Sequence, residues 1–183
     1  VEAHSDGNEM SNPVTPNVWA EHAVWPQDPA FAAALAGGVT SMQILPGSGN
    51  LIGGRGVTVK NVSAVTYQAM KFPGAPWGLK MACGENPKRV YGGKGGSPMT
   101  RMGNIAGYRQ AFADAQEYQR QWEEYARELE AQAGKIATDE DSKPPVEPKR
   151  DLGKETLVGV LEGRILVHIH CYRADEMQLM LDL

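Results

Sequence analysis

The clearest periodicity in the chain lies between residues 105 and 129. There Ile105, Tyr108, Phe112, Ala115, Tyr118, Trp122, Tyr125 and Leu129 recur at spacings of three or four, with charge on the other side. That repeat places the apolar side chains on one stripe of an α-helix, which ends near Gly134. A shorter helix is predicted over AFAAALAGG, opened by Asp28 and Pro29 and stopped by Gly37 and Gly38. LGKETLVGVLEG reads as a further helix, and another begins near Asp175. Strand character falls on VTSMQILP, WGLKMAC and RILVHIH, with VTVKNVSAVTY β-prone and residues 1–3 a strand-like start.

The stretches between are loops of distinct kinds. Residues 5–29 are rich in Asn, Pro and Asp, and PGSGNLIGGRG holds five glycines between Pro46 and Gly56, a density that implies tight turns or close backbone approach. GENPKRVYGGKGGSPMTRMG reads as a second loop, and ATDEDSKPPVEPKRD, with mixed charge and three prolines, as a solvated connector around residues 137–150. Strands alternate with helices and no internal repeat is evident. The expectation is an α/β fold in one domain, residues 1–183, with its chemistry at the strand ends.

Composition narrows the function. At 183 residues, 42% hydrophobic and 22% charged, the chain has globular proportions. A formal charge of −4 provides no broad basic field for nucleic acid, and no apolar run approaches the roughly 20 residues of a membrane span. The two cysteines, Cys83 and Cys171, form no CxxC site and are expected as free thiols. The N-terminus shows no export signal and no initiating Met, so a trimmed or incomplete chain is expected. The compartment stays open, cytoplasmic by default.

Three groups have the chemistry for a site. His168 and His170 alternate onto one face of their strand, where imidazole nitrogens suit zinc, and where two hydrogen-bonded buried histidines would look the same. Lys80 lies within an apolar segment. Burial favours its free amine, which can add carbon dioxide to give an anionic carbamate able to bridge two cations; the plainer alternative is a lysine that reaches water or pairs with Glu85. Arg101, in PMTRMG, has the fork to hold a substrate carboxylate, or is a surface arginine. The glycine segment lacks the Gly-Lys-Ser/Thr of a P-loop and does not fit GxGxxG, so a pocket-lining or structural loop is expected over a phosphate cradle.

Taken together, AHS, LAGGVTSMQILPGSGNLIGGRG, GLKMACGENPKRVYG, TRMG and VHIHCYRADEM resemble the metal-dependent amidohydrolase superfamily, in its imidazolonepropionase-like and prolidase-like branch. The resemblance spans nearly the whole chain outside the connector. It implies a (β/α)8 TIM barrel, of which this chain is roughly the first five strand-helix units, because a complete barrel takes typically about 250 residues. It implies one or two divalent metal ions, zinc foremost, and hydrolysis of an amide, cyclic amide or dipeptide by metal-activated water. His4 is similar to the first histidine of the family's HxH, Lys80 to the lysine that becomes carboxylated, and His170 to the later histidine ligand, with His168 one layer deeper.

The departures are specific. Where the second histidine of the first motif is expected, the chain has Asp6, so a loop missing between His4 and Asp6 is expected, with zinc binding by the aspartate as the alternative. The late histidine and the aspartate general base are expected beyond Leu183, so no catalytic acid or base is assigned. Expected partners are a small amide or peptide substrate and, at most, further copies of the chain. A non-catalytic barrel fragment or binding module that has lost the full metal site is the alternative, and a phosphate-binding protein built on the glycine loop ranks last.

Overall fold

The structure is a computed structural model, described for residues 6–133 and 144–183. A loop with a short 3-10 turn (Ala20–Ala23) leads to α1 (Pro29–Ala36), β1 (Ser41–Ile44), β2 (Ile52–Lys60), the single turn α2 (Tyr67–Met70), β3 (Trp77–Ala82) and α3 (Glu85–Gly92). There follow α4 (Arg101–Ala133), α5 (Leu152–Leu161), β4 (Ile165–His170) and α6 (Ala174–Leu181). The start of α1 is set as its sequence predicts: Asp28 Oδ1 accepts from the Ala30 amide at 2.8 Å, and Pro29 takes the first position, where a missing N–H costs nothing. Asp151 caps α5 in the same way, accepting from the Gly153 and Lys154 amides.

The strands form one sheet in the order β1-β2-β3-β4, curled as a half-barrel. β2 runs antiparallel to both neighbours in the sheet, and β3 and β4 are parallel. Strict strand-helix alternation is therefore absent from the first half. There the chain turns back on itself through PGSGN as a hairpin, while the β3 to β4 connection carries α3, α4 and α5, as a parallel crossover requires. Residues expected as a loop after Cys83 instead hold α3. The residue 1–3 strand start falls outside the described residues, as does part of the connector.

The glycines that suggested a pocket have a different use. Residues 7–19 run along the upper half of β2: the Thr15 amide donates to Ile52 O at 2.8 Å, and the Arg55 amide to Val18 O at 2.8 Å. Gly54, at φ +109°, lies so near this segment that a Cβ would sit 2.3 Å from Val18 O. Close backbone approach is indeed what the segment provides, and the approaching strand is the chain's own N-terminal loop. Asn50 pins it, its buried Nδ2 lying 2.6 Å from Glu9 O, 3.1 Å from Asn12 O and 2.9 Å from Thr15 Oγ1.

The main core joins Leu51, Ile52, Leu79 and Met81 of the sheet side to Tyr108, Ala111 and Ala115 of α4, with Leu157 of α5 and Ile165 of β4. Each large apolar side chain buried there contributes about 1.5–3 kcal/mol. β3 is buried on both faces except at its first residue, which explains its continuous apolar run, broken only at Lys80. No helix among the described residues is long and apolar enough to cross a membrane.

Candidate functional site

Alternation turns Lys80 to the face of β3 that it shares with Gly78 and Ala82. In the parallel pair Lys80 stands opposite His168, and Ala82 opposite His170. One amine and two imidazoles thus project from the same side of two adjacent strands, with His170 nearer the C-terminal end. Lys80 is 9% exposed, and its Nζ donates to Ser48 Oγ at 2.6 Å. Burial holds the amine's pKa below its ordinary value, because the charged form loses more hydration. Pairing with Glu85 does not occur: that carboxylate takes Lys88 and Arg101.

Both histidines have an Nε2 that is closed off from solvent and lacks any hydrogen-bond partner, which sets aside the reading of two satisfied core histidines. A buried nitrogen without a partner is costly unless a ligand completes it. Room for the His168 ring comes from Gly78, where a Cβ would lie 2.8 Å from His168 Cδ2 and 2.9 Å from Gln43 Nε2. The His170 ring is held at right angles to Tyr172, centroids 4.7 Å apart, and the Tyr172 hydroxyl lies 3.2 Å from Asn86 Oδ1.

These donors fit a divalent cation in kind, since neutral imidazole and a desolvated lysine able to become a carbamate are oxygen and nitrogen ligands in waiting. Among the described residues, no three or more His, Cys, Asp or Glu side chains converge on a metal position. His4 lies outside the described residues. Asp6 borders a cleft of about 280 Å3 with Trp25, Asp28 and Phe31.

Arg101 is engaged by the protein itself. Its Nε donates to Glu176 and its second nitrogen lies 3.4 Å from Glu85. Glu176 is 5% exposed, so the pair ties α6 to the start of α4. Burial and the nearby Glu176 charge also push the Tyr108 phenol well above its ordinary pKa, and Tyr108 donates to Ala82 O at the end of β3.

The two cysteines are not free thiols: Cys83 and Cys171 form a disulfide across 88 residues of sequence. Strand register accounts for it. With Ala82 level with His170, the next residue of each strand falls side by side, at a Cα separation of 5.1 Å that suits a bridge. A cavity of about 530 Å3 lies elsewhere, between α4 and α5, lined by Tyr118, Trp122, Arg55 and Arg150. Its ions are largely paired, Arg150 with Glu155 and Arg164 with Glu162.

Sequence reasoning missed Ser48, Gln43, Tyr172 and Glu176. Ser48 lay inside a motif already singled out for its glycines, and Gln43, Tyr172 and Glu176 lay inside the segments that carry the resemblance, but nothing in their spacing marked them out from their neighbours.

Comparison with known proteins follows the same direction. No family model matches the chain. The amidohydrolase tasK of Hapsidospora irregularis is 34% identical over 193 aligned residues, covering 100% of this chain and 19% of that protein. The crystal structure of an amidohydrolase from Thermotoga maritima MSB8 superposes with a TM-score of 0.79 at 37% identity, covering 97% of this chain and 42% of that one. The chain thus spans less than half the length of either relative, and its likeness to the solved amidohydrolase extends over 97% of its own residues.

Proposed function

We propose that the protein carrying this chain is a metal-dependent hydrolase of C–N bonds, acting on an amide, a cyclic amide or a dipeptide. The names of both relatives support the hydrolase class. The observation that carries the metal is the grouping on one sheet face of Lys80, buried and with lowered pKa, with two imidazoles whose Nε2 atoms have no partner.

In this reading His170 and a carboxylated Lys80 hold one or two divalent cations, zinc foremost, together with His4. When bound, such a cation lowers the pKa of its water to about 7 and polarises the substrate carbonyl. The chain's own residues do the rest. Tyr172 orients the His170 ring, Ser48 engages the Lys80 amine, and Gly78 makes the space in which His168 lies beneath. Arg101 already donates to Glu176 and to Glu85, so its first role here is to hold α6.

Metal analysis of the purified full-length protein tests this. Near-stoichiometric zinc that is lost in Lys80→Ala and in His170→Ala, and retained in His168→Ala, is the expected result. Protein that folds and binds no divalent metal overturns the hydrolase reading and leaves a non-catalytic scaffold.

A further inference from the structure

We propose that Ser48 is a positioning residue for Lys80: its hydroxyl fixes the amine on the site face and then holds the carbamate formed there. The proposal rests on the reading of Lys80 given above and extends it to a residue of the glycine loop. Among the described residues Ser48 is the only hydrogen-bond partner of the Lys80 amine, at 2.6 Å.

The contact is built in. Ser48 sits at the bend between β1 and β2, and the residues around it are fixed to the N-terminal loop. The Gly47 amide donates to Gly7 O at 2.6 Å, the Gly49 amide to Asn8 Oδ1 at 2.9 Å, and Asn50 spans Glu9 and Asn12. With both neighbours anchored, the hydroxyl is presented to β3 at a set position. Packing at Asn8 leaves little slack: a Cβ on Gly47 would meet its side-chain nitrogen at 2.3 Å.

A hydroxyl suits both states of the lysine, since it accepts from an amine and donates to an anionic oxygen by turning its proton. Carboxylation converts one into the other. The amine lone pair forms the N–C bond to dissolved carbon dioxide, one C=O electron pair moves onto oxygen, and an amine proton leaves to solvent. The product is a carbamate anion, with no oxidant or further reactant required. Before the reaction Ser48 holds Nζ; afterwards its O–H is directed to a carbamate oxygen. A carboxylate in place of Ser48 would repel that product, and an apolar residue would leave it short of a donor.

Carbon-13 NMR of the full-length protein equilibrated with labelled bicarbonate reads the carbamate directly, without turnover. The wild type is expected to show a carbamate resonance that Lys80→Ala lacks. Ser48→Ala is expected to weaken carbon dioxide uptake roughly tenfold, the worth of one charge-assisted hydrogen bond, while Ser48→Thr, which keeps the hydroxyl, stays within about twofold. Should the alanine variant fail to fold, Ser48→Cys, close in size and a weak donor, is expected to show the same loss. Wild-type occupancy in the folded alanine or cysteine variant overturns the role of Ser48 and leaves the hydrolase reading standing. A wild type with no Lys80-dependent resonance overturns the carbamate, and Ser48's role with it.

Discussion

Gly54 and Val18 touch backbone to backbone: a Cβ on the glycine would fall 2.3 Å from the Val18 carbonyl oxygen. Gly54→Ala therefore meets both an unfavourable φ of +109° and a wall that cannot swing aside. The expected loss is about 2–4 kcal/mol. Gly74 is the control, with φ +71° and nothing within 4 Å of its virtual Cβ; Gly74→Ala is expected to cost only about 1 kcal/mol. Equal urea midpoints for the two variants would contradict the close packing of residues 7–19 on β2.

Asn50→Asp is nearly isosteric and reverses one polarity. The Nδ2 donor, which faces Glu9 O, Asn12 O and Thr15 Oγ1, becomes an oxygen facing three oxygens. Destabilisation of about 3 kcal/mol is expected, since a buried acceptor loses its partners and a charge is introduced. Chemical denaturation of both proteins checks it.

Lys80 has a folded-state pKa below the ordinary 10.5. Between those two values the unfolded chain binds more protons than the folded one, so stability rises with pH across that window and the cost of burying the charge is present in full below it. Lys80→Met, similar in length and without charge, is expected to remove that slope and to match or exceed wild-type stability at pH 7, measured without added metal or bicarbonate. A slope unchanged in Lys80→Met would mean that Lys80 is not the group responsible.

Arg101 separates two readings by its kinetics. If its work is to neutralise Glu176, Arg101→Ala leaves a buried carboxylate exposed to its own desolvation cost, about 2 kcal/mol of stability. Glu176→Gln in the same chain is then expected to recover part of that loss. A thermal melt left unmoved by Arg101→Ala, with a raised KM for a carboxylate-bearing substrate, would return the arginine to substrate binding.

Much of the fold was legible because local pattern and tertiary use agreed. The α4 stripe is buried or half-buried from Ile105 to Tyr125 and the Asp28-Pro29 start of α1 is capped as expected, whereas β4 forms where RILVHIH predicts a strand but leaves Leu166, Val167 and Ile169 exposed. The β1-β2 hairpin was less so, because PGSGNLIGGRG encodes an approach without naming what approaches. At the site, Lys80 stood out as a charge in an apolar run, and HxH as a same-face pair. Register across 88 residues was not readable, and the pairing of Cys83 with Cys171 depends wholly on it. The engagement of Arg101 by Glu176 was equally hidden, since it joins α4 to α6 across 75 positions.

The bond between Cys83 and Cys171 closes a covalent ring that contains α3, α4, the connector and α5. Lys149, exposed in the irregular stretch just before α5, offers trypsin a cut inside that ring. A single nick there would leave the two pieces travelling as one band on a non-reducing gel and separating only after dithiothreitol. The polypeptide can thus be severed at its connector while its two parallel strands remain covalently joined.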